Sequence, residues 1–238
     1  MGKANEILKP LVRLTVDLSM TVLIMLAFAY HITDNTAHEW IGISFIALCI
    51  AHVLINKQWY KNLFKGNYNP LRIIMTSVNM LLTLNILVLL VSGLLNSRAI
   101  LSFLDLPGGI FYRQIHTGAA HWLLVLVSIH ISLYWVRVIN AVRKLAGIER
   151  ENQIRAILFR LLAFTIAVFG TWSFIDRDMF SKLFLGLSFD YWDDTRPHIL
   201  YFAMMFSIIG LYTFCFFYLQ KLIKKISSLI RNGKGGST

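Results

Sequence analysis

Six stretches of this chain are long and apolar enough to cross a lipid bilayer, and no other feature restricts its fold so severely. They lie near residues 11–32, 37–56, 71–95, 112–138, 156–175 and 197–220. Roughly 20 consecutive apolar residues wound as a helix span the hydrocarbon core. In that medium each backbone N–H and C=O must be satisfied inside the segment, so helices are expected rather than open strands. Of the 238 residues 57% are hydrophobic and only 15% charged, a ratio foreign to soluble domains. The expected fold is all-α: a polytopic membrane bundle of six transmembrane helices. No small-residue cleavage site follows the first run, so it reads as an uncleaved spanning helix.

The formal net charge is +11, a value that would suit a nucleic-acid binder. Here the bases sit between apolar runs, which is the pattern of membrane topology. No nucleic-acid partner is expected; the lipid bilayer is. Lys3, Lys9 and Arg13 lie at the N-terminus, and Lys57, Lys61, Lys65 and Arg72 in the second connection. Arg137, Arg143, Lys144, Arg150 and Arg155 mark the fourth connection, and Lys221, Lys224, Lys225, Arg231 and Lys234 the tail. The alternate connections are poorer in base: Asp34 and Glu39; Arg98, Asp105 and Arg113; and five aspartates against Arg177, Lys182 and Arg196. Because bases favour the cytoplasmic side, both termini are expected there.

Two of the apolar runs carry histidines at one repeated spacing. His38 and His52 are fourteen residues apart, and so are His116 and His130. Fourteen helical steps advance about 21 Å and return to within about 40° of the starting face. Fourteen is also two heptads, so on supercoiled helices both rings stay on one seam. The charge alternation makes the second and fourth helices parallel, which is what pairing His38 with His116 and His52 with His130 requires. Two imidazole pairs at two depths can ligate two haem irons, and two nitrogen ligands close both axial positions. Metal ligation is therefore expected at His38, His52, His116 and His130, with two haem b groups as cofactors. A single membrane histidine is as readily an interfacial or backbone-bonded residue; four matched positions are not.

Around these four, the signals weaken. Gly42 and Ala120 each follow an outer histidine by four residues, leaving room for a flat macrocycle or serving close helix packing. Arg113, one turn before His116, is the first candidate for a propionate partner, with Arg98 and Arg196 as alternatives and Lys57 and Arg137 at the inner end. His121 is about 140° around the helix from His116 and cannot share its seam. His31 and His198 fall at the outer boundary, where either is an alternative to His38. Asp17, Asn79 and Asn85 interrupt apolar runs; they touch a quinone, relay a proton, or bond between helices. Trp59, Trp135, Tyr60, Tyr191 and Trp192 read as an interfacial aromatic belt. Cys49 and Cys215 form no disulfide framework, and no Cys-x-x-Cys-His run attaches a c-type haem. Dinucleotide and P-loop fingerprints are missing too, so electrons must come from another polypeptide or from the lipid phase.

The run His38-Glu39-Trp40-Ile41-Gly42 with His52 to Trp59, and the run His116-Thr117-Gly118-Ala119-Ala120 with His130 to Trp135, resemble the helices of bacterial membrane b-type cytochromes. The chain is most similar to a family of flavinylation-associated cytochromes, first catalogued as a domain of unknown function and often encoded beside extracytoplasmic proteins carrying covalent FMN. The resemblance covers roughly residues 10–140. It implies that the four histidines ligate two haems b, that the protein sits in a bacterial cytoplasmic (inner) membrane, and that an extracytoplasmic FMN-bearing protein is its partner. Members often have a histidine where this chain has Tyr134 and an aromatic where it has His121. The four-histidine pattern also occurs in respiratory cytochrome b subunits and ferric-reductase-like domains.

The chain accordingly divides into a four-helix dihaem core, 1–140, and two further helices with a cytoplasmic tail, 141–238. The leading expectation is a cytochrome carrying electrons between the membrane quinone pool and an extracytoplasmic redox protein. One rival is a ferric-reductase-like enzyme reducing a small acceptor at the outer face. Another is a non-redox transporter or anchor. The outer connection, with Phe189, Tyr191 and Trp192 among aspartates, is either a docking loop for the partner or an interfacial cap.

Overall fold

The structure, a computed structural model, describes residues 2–148, 150, 152–184 and 192–234. Among these it is all helical: α1 (Gly2–Phe28), α2 (Asn35–Ile55), α3 (Lys57–Lys61), α4 (Pro70–Asn96), α5 (Ile110–Leu145), α6 (Gln153–Asp176), α7 (Met179–Leu183) and α8 (His198–Lys234), with a 3-10 turn at Ser102–Leu104. Six of the helices are long and apolar enough to cross a membrane, and they match the six runs read from the sequence. Much of their apolar surface faces outward; Leu18, Ile50 and Leu84 are each more than half exposed. A soluble protein does not present such a surface, and a multi-pass membrane protein must.

Helix boundaries follow local chemistry. Asp34 caps α2, its side chain accepting from the Ala37 N–H at 2.6 Å. Asn69 caps α4 in the same way, accepting from Arg72 N at 2.8 Å, and Pro70 opens that helix where its missing N–H costs nothing. Arg72 turns back to donate to the Asn62 and Lys65 carbonyls at 2.8 and 2.6 Å, which closes the connection after α3. Before α5 the chain turns through Gly108 and Gly109, at φ +50° and +121°. The Arg98 guanidinium lies so close to Gly108 that a Cβ there would fall 2.2 Å from its Nη2.

Three helices differ markedly in length from the sequence reading; α8 continues to Lys234, well beyond the expected end near residue 220. The first ends at Phe28 rather than near residue 32, because Ala29 to Thr33 form the reversal that Asp34 terminates. His31 therefore sits in a turn. The fifth element, α5, runs 36 residues to Leu145, carrying Arg137, Arg143 and Lys144 beyond the apolar stretch on continuing helix.

The helices pack as α1 on α2, α4 on α5, α5 on α8 and α6 on α8. Serine and glycine make the last contact close. A Cβ on Gly170 would meet the Ser207 carbonyl oxygen at 2.2 Å, and Ser207 Oγ donates to Ser173 Oγ at 3.0 Å. Tyr201 on α8 is fully buried and donates to the Phe28 carbonyl at 2.6 Å, tying α8 to the end of α1. By contrast, α2 and α5 make almost no close backbone approach.

Candidate functional site

The two helices that carry the matched histidines are held apart, and the histidines face each other across the gap. The His38 and His116 rings stand 6.1 Å apart, centre to centre, at 75° to one another. The His52 and His130 rings stand 6.4 Å apart at 68°. Both expected pairs are present, so α2 and α5 run parallel. A metal–imidazole nitrogen bond is roughly 2 Å. Adding the distance from each nitrogen to its ring centre, two imidazoles on opposite sides of one metal have centres about 6 Å apart. Both pairs meet that spacing. Among the described residues no three His, Cys, Asp or Glu side chains converge as a metal cluster. A bare ion wanting four ligands finds two, whereas a haem brings its own equatorial nitrogens and asks only for two. The residues present fit that group.

Three of the four rings are oriented by a second partner on Nδ1, which leaves Nε2 for the gap. His116 Nδ1 lies 3.1 Å from Ser92 Oγ, which itself donates to the Val88 carbonyl at 2.7 Å. His130 Nδ1 lies 2.9 Å from Asn79 Oδ1, and the Asn79 Nδ2 donates to Tyr134 Oη at 3.2 Å. His52 Nδ1 lies 2.8 Å from Asp17 Oδ1. In each case the partner can only accept, so the proton belongs on Nδ1 and the Nε2 lone pair is free for a metal. The fourth ring, His38, lies beside the Ala27 carbonyl with its Nδ1 buried and without a well-aligned partner. The edge of Tyr30 packs on it at 5.2 Å.

Sequence reasoning left Asp17 and Asn79 with several roles; the geometry gives both to histidines. It missed Ser92, Gly93 and Glu39. Gly93 lies under His116, where a Cβ would come within 3.2 Å of its Cε1. The Glu39 carboxylate accepts from Ser97 Oγ at 2.7 Å, from the N–H groups of Arg98, Ala99 and Ile100 at 2.7, 3.0 and 2.8 Å, and from Asn35 Nδ2 at 2.8 Å. This knot joins the start of α2, next to His38, to the end of α4. A signal for Ser92 existed: it stands thirteen residues after Asn79, close to the histidine interval, and α4 runs antiparallel to α5.

Gly42 has open space where its Cβ would be, with nothing within 4 Å, so it makes no close helix contact. Ala120 is half-buried, and Arg113 is exposed one turn before His116. Of the alternative bases, Arg196 is engaged with Asp176 at 3.0 Å and Arg137 stands over the Tyr134 ring at 4.8 Å. Tyr134 in turn packs on His130 at 4.8 Å.

His121, His31 and His198 lie away from both pairs. His121 is buried against Phe28, its Nδ1 2.7 Å from the Thr117 carbonyl. The His31 ring packs on Tyr201 at 4.4 Å and on Trp192 at 5.8 Å, with His198 at 6.1 Å. His116 faces His38, not His31. Trp192 is no interfacial belt residue: it is 3% exposed, with Arg177 over its ring at 5.5 Å. Phe189, Asp190 and Tyr191 of the candidate docking loop lie outside the described residues. Asp193 is half-buried, and the hydrogen bonds it accepts from Thr195 hold its carboxyl below the usual carboxylate range.

No protein-family model, curated protein or solved structure matches this chain.

Proposed function

We propose that this chain is a membrane dihaem cytochrome b that carries electrons between quinol in the bilayer and a redox protein, a flavoprotein by family resemblance, outside a bacterial cytoplasmic membrane. The observation that carries the reading is the pair of imidazole pairs, 6.1 and 6.4 Å between ring centres, across a gap between unpacked helices. Haem held by two histidines would supply one-electron exchange, and two protein ligands favour electron transfer over oxygen chemistry. His38 and His116 would hold one haem b, and His52 and His130 the other. Ser92, Asn79 and Asp17 keep the Nδ1 protons of their histidines and fix the ring planes. Gly42 leaves space beside His38, and Arg113 is within a turn of His116 for a propionate. The base-rich connections orient the His52–His130 end toward the cytoplasm. About 21 Å of helix separates the two levels, enough to connect the leaflets of a core about 30 Å thick.

The test is the absorption spectrum and haem content of the purified full chain. Two low-spin, non-covalent haems b per chain are expected. Replacing His52 or His130 by alanine should remove one, and replacing His38 or His116 the other. Haem content unchanged by all four substitutions, or no haem at all, overturns the reading.

A further inference from the structure

The two histidine pairs are not equivalent, and the difference lies in what holds the far nitrogen of each ring. At the His52–His130 end the partners are the Asp17 carboxylate, 2.8 Å from His52, and the Asn79 amide oxygen, 2.9 Å from His130. At the His38–His116 end they are the Ser92 hydroxyl, 3.1 Å from His116, and for His38 a buried Nδ1 with no well-aligned acceptor. A carboxylate is a full negative charge and the strongest of the three acceptors; a hydroxyl oxygen is the weakest. Hydrogen bonding at Nδ1 makes the other nitrogen a better donor to a metal.

Resting on the dihaem reading, we propose that Asp17 makes the His52–His130 site the lower-potential of the two, so that electrons run from that end to the His38–His116 end. The physical reason is charge. An iron porphyrin between two neutral imidazoles carries one positive charge when oxidised and none when reduced. A carboxylate bonded to a ligand ring therefore favours the oxidised form. Asp17 sits in the middle of an apolar helix, where charges interact more strongly than in water. Its side chain is half exposed from the protein, toward what would be lipid, and His52 is its hydrogen-bond partner. Arg137 acts in the opposite sense, but its guanidinium stands over the Tyr134 ring rather than over either imidazole. At the other end Ser92 contributes no charge, and the Glu39 carboxylate next to His38 accepts from Asn35, Ser97 and the N–H groups of Arg98, Ala99 and Ile100 rather than from either ring. Asp17 thus acts through His52: it is a positioning and tuning residue, and it touches no substrate. With the His52 end toward the cytoplasm, the gradient directs electrons outward, from a quinol that gives up two electrons and two protons to an acceptor on the far side.

The experiment is an equilibrium redox titration of the purified full chain, followed by haem absorbance. The wild type should show two one-electron waves. Asp17→Asn should move the lower wave upward and leave the upper wave in place, and Asp17→Glu should restore most of the difference. His52→Ala should delete the lower wave. If that variant does not accumulate, His130→Met, which substitutes a thioether ligand, should shift the lower wave alone. A lower wave unmoved by Asp17→Asn overturns the proposal, as does an upper wave deleted by His52→Ala or shifted by His130→Met. A protein with two haems and the opposite order leaves the cytochrome reading standing and rejects only the gradient; a protein with no haem rejects both.

Discussion

The Ser92 hydroxyl gives its one proton to the Val88 carbonyl at 2.7 Å and stands 3.1 Å from His116 Nδ1. It can only accept from that ring, and so it selects the Nδ1–H tautomer. Ser92→Ala leaves a buried N–H without an acceptor, a loss of about 1–3 kcal/mol. The expected result is weaker haem retention at the His38 end, read as one of two components lost first when the protein is titrated with a haem scavenger. Equal loss from both sites would contradict it.

Gly93 supports the same ring from beneath. A Cβ there would crowd His116 Cε1 at 3.2 Å. Gly93→Ala should therefore lower the occupancy of that site modestly, and Gly93→Val should abolish it while sparing the other. Haem content per chain measures both. Full occupancy in Gly93→Val would mean the ring has freedom that its packing denies.

Glu39 accepts five hydrogen bonds, three of them from consecutive backbone N–H groups at 98–100. Bonds to a carboxylate are roughly twice as strong as those to a neutral acceptor. Glu39→Gln should cost on the order of 2 kcal/mol and loosen α2 from the end of α4. The measurement is thermal stability in detergent alongside trypsin cleavage after Arg98, which should accelerate. Unchanged cleavage would remove this knot from the framework.

Gly170 sets the distance between α6 and α8, since a Cβ would meet the Ser207 carbonyl at 2.2 Å and Leu211 Cβ at 2.8 Å. Gly170→Leu should detach α6 without changing either histidine pair, because α6 packs on α8 and α7 and on neither α2 nor α5. Cysteine cross-linking between positions 173 and 207 should fall while the haem spectrum is retained. Loss of the spectrum would show that the last two helices shape the site.

Reporter fusions after residues 66, 147 and 230 should lie in the cytoplasm, and fusions near 35 and 106 outside. The opposite result would exchange the inner and outer labels of the two sites and reverse the direction of the proposed electron flow.

Hydropathy made the six spans legible, because a membrane helix announces itself by length and by lack of charge. The two pairs were legible too: His38, His52, His116 and His130 repeat a spacing that one helical seam preserves. What surrounds them was not. Ser92 and Gly93 look like any small residues in an apolar helix, and only the register of α4 against α5 reveals that His116 lies on them. Asp17 and Asn79 stood out as polar, but which histidine each meets depends on pairings between helices that no local pattern encodes. Glu39 read as a connection charge; its role depends on a turn sixty residues away. Trp192 was misread as interfacial because its cover comes from three separate places, Arg177 after α6, Tyr201 on α8 and His31 in the turn after α1.

The gap between α2 and α5 bears on how this protein is made. Each of the hairpins α1–α2 and α4–α5 closes its own helix contact, so both can be complete as soon as they leave the translocation machinery. Bringing α2 up to α5 is different: α1 reaches α5 and α8, but between α2 and α5 themselves the polypeptide supplies the rings at 38, 52, 116 and 130, with the Glu39 tether to α4, and almost no backbone contact. On the dihaem reading, that last joint would be left for a guest to make. Maturation of this chain would then have a checkpoint after insertion, at which cells starved of the guest accumulate two finished hairpins that quality-control proteases can still tell apart from a finished protein.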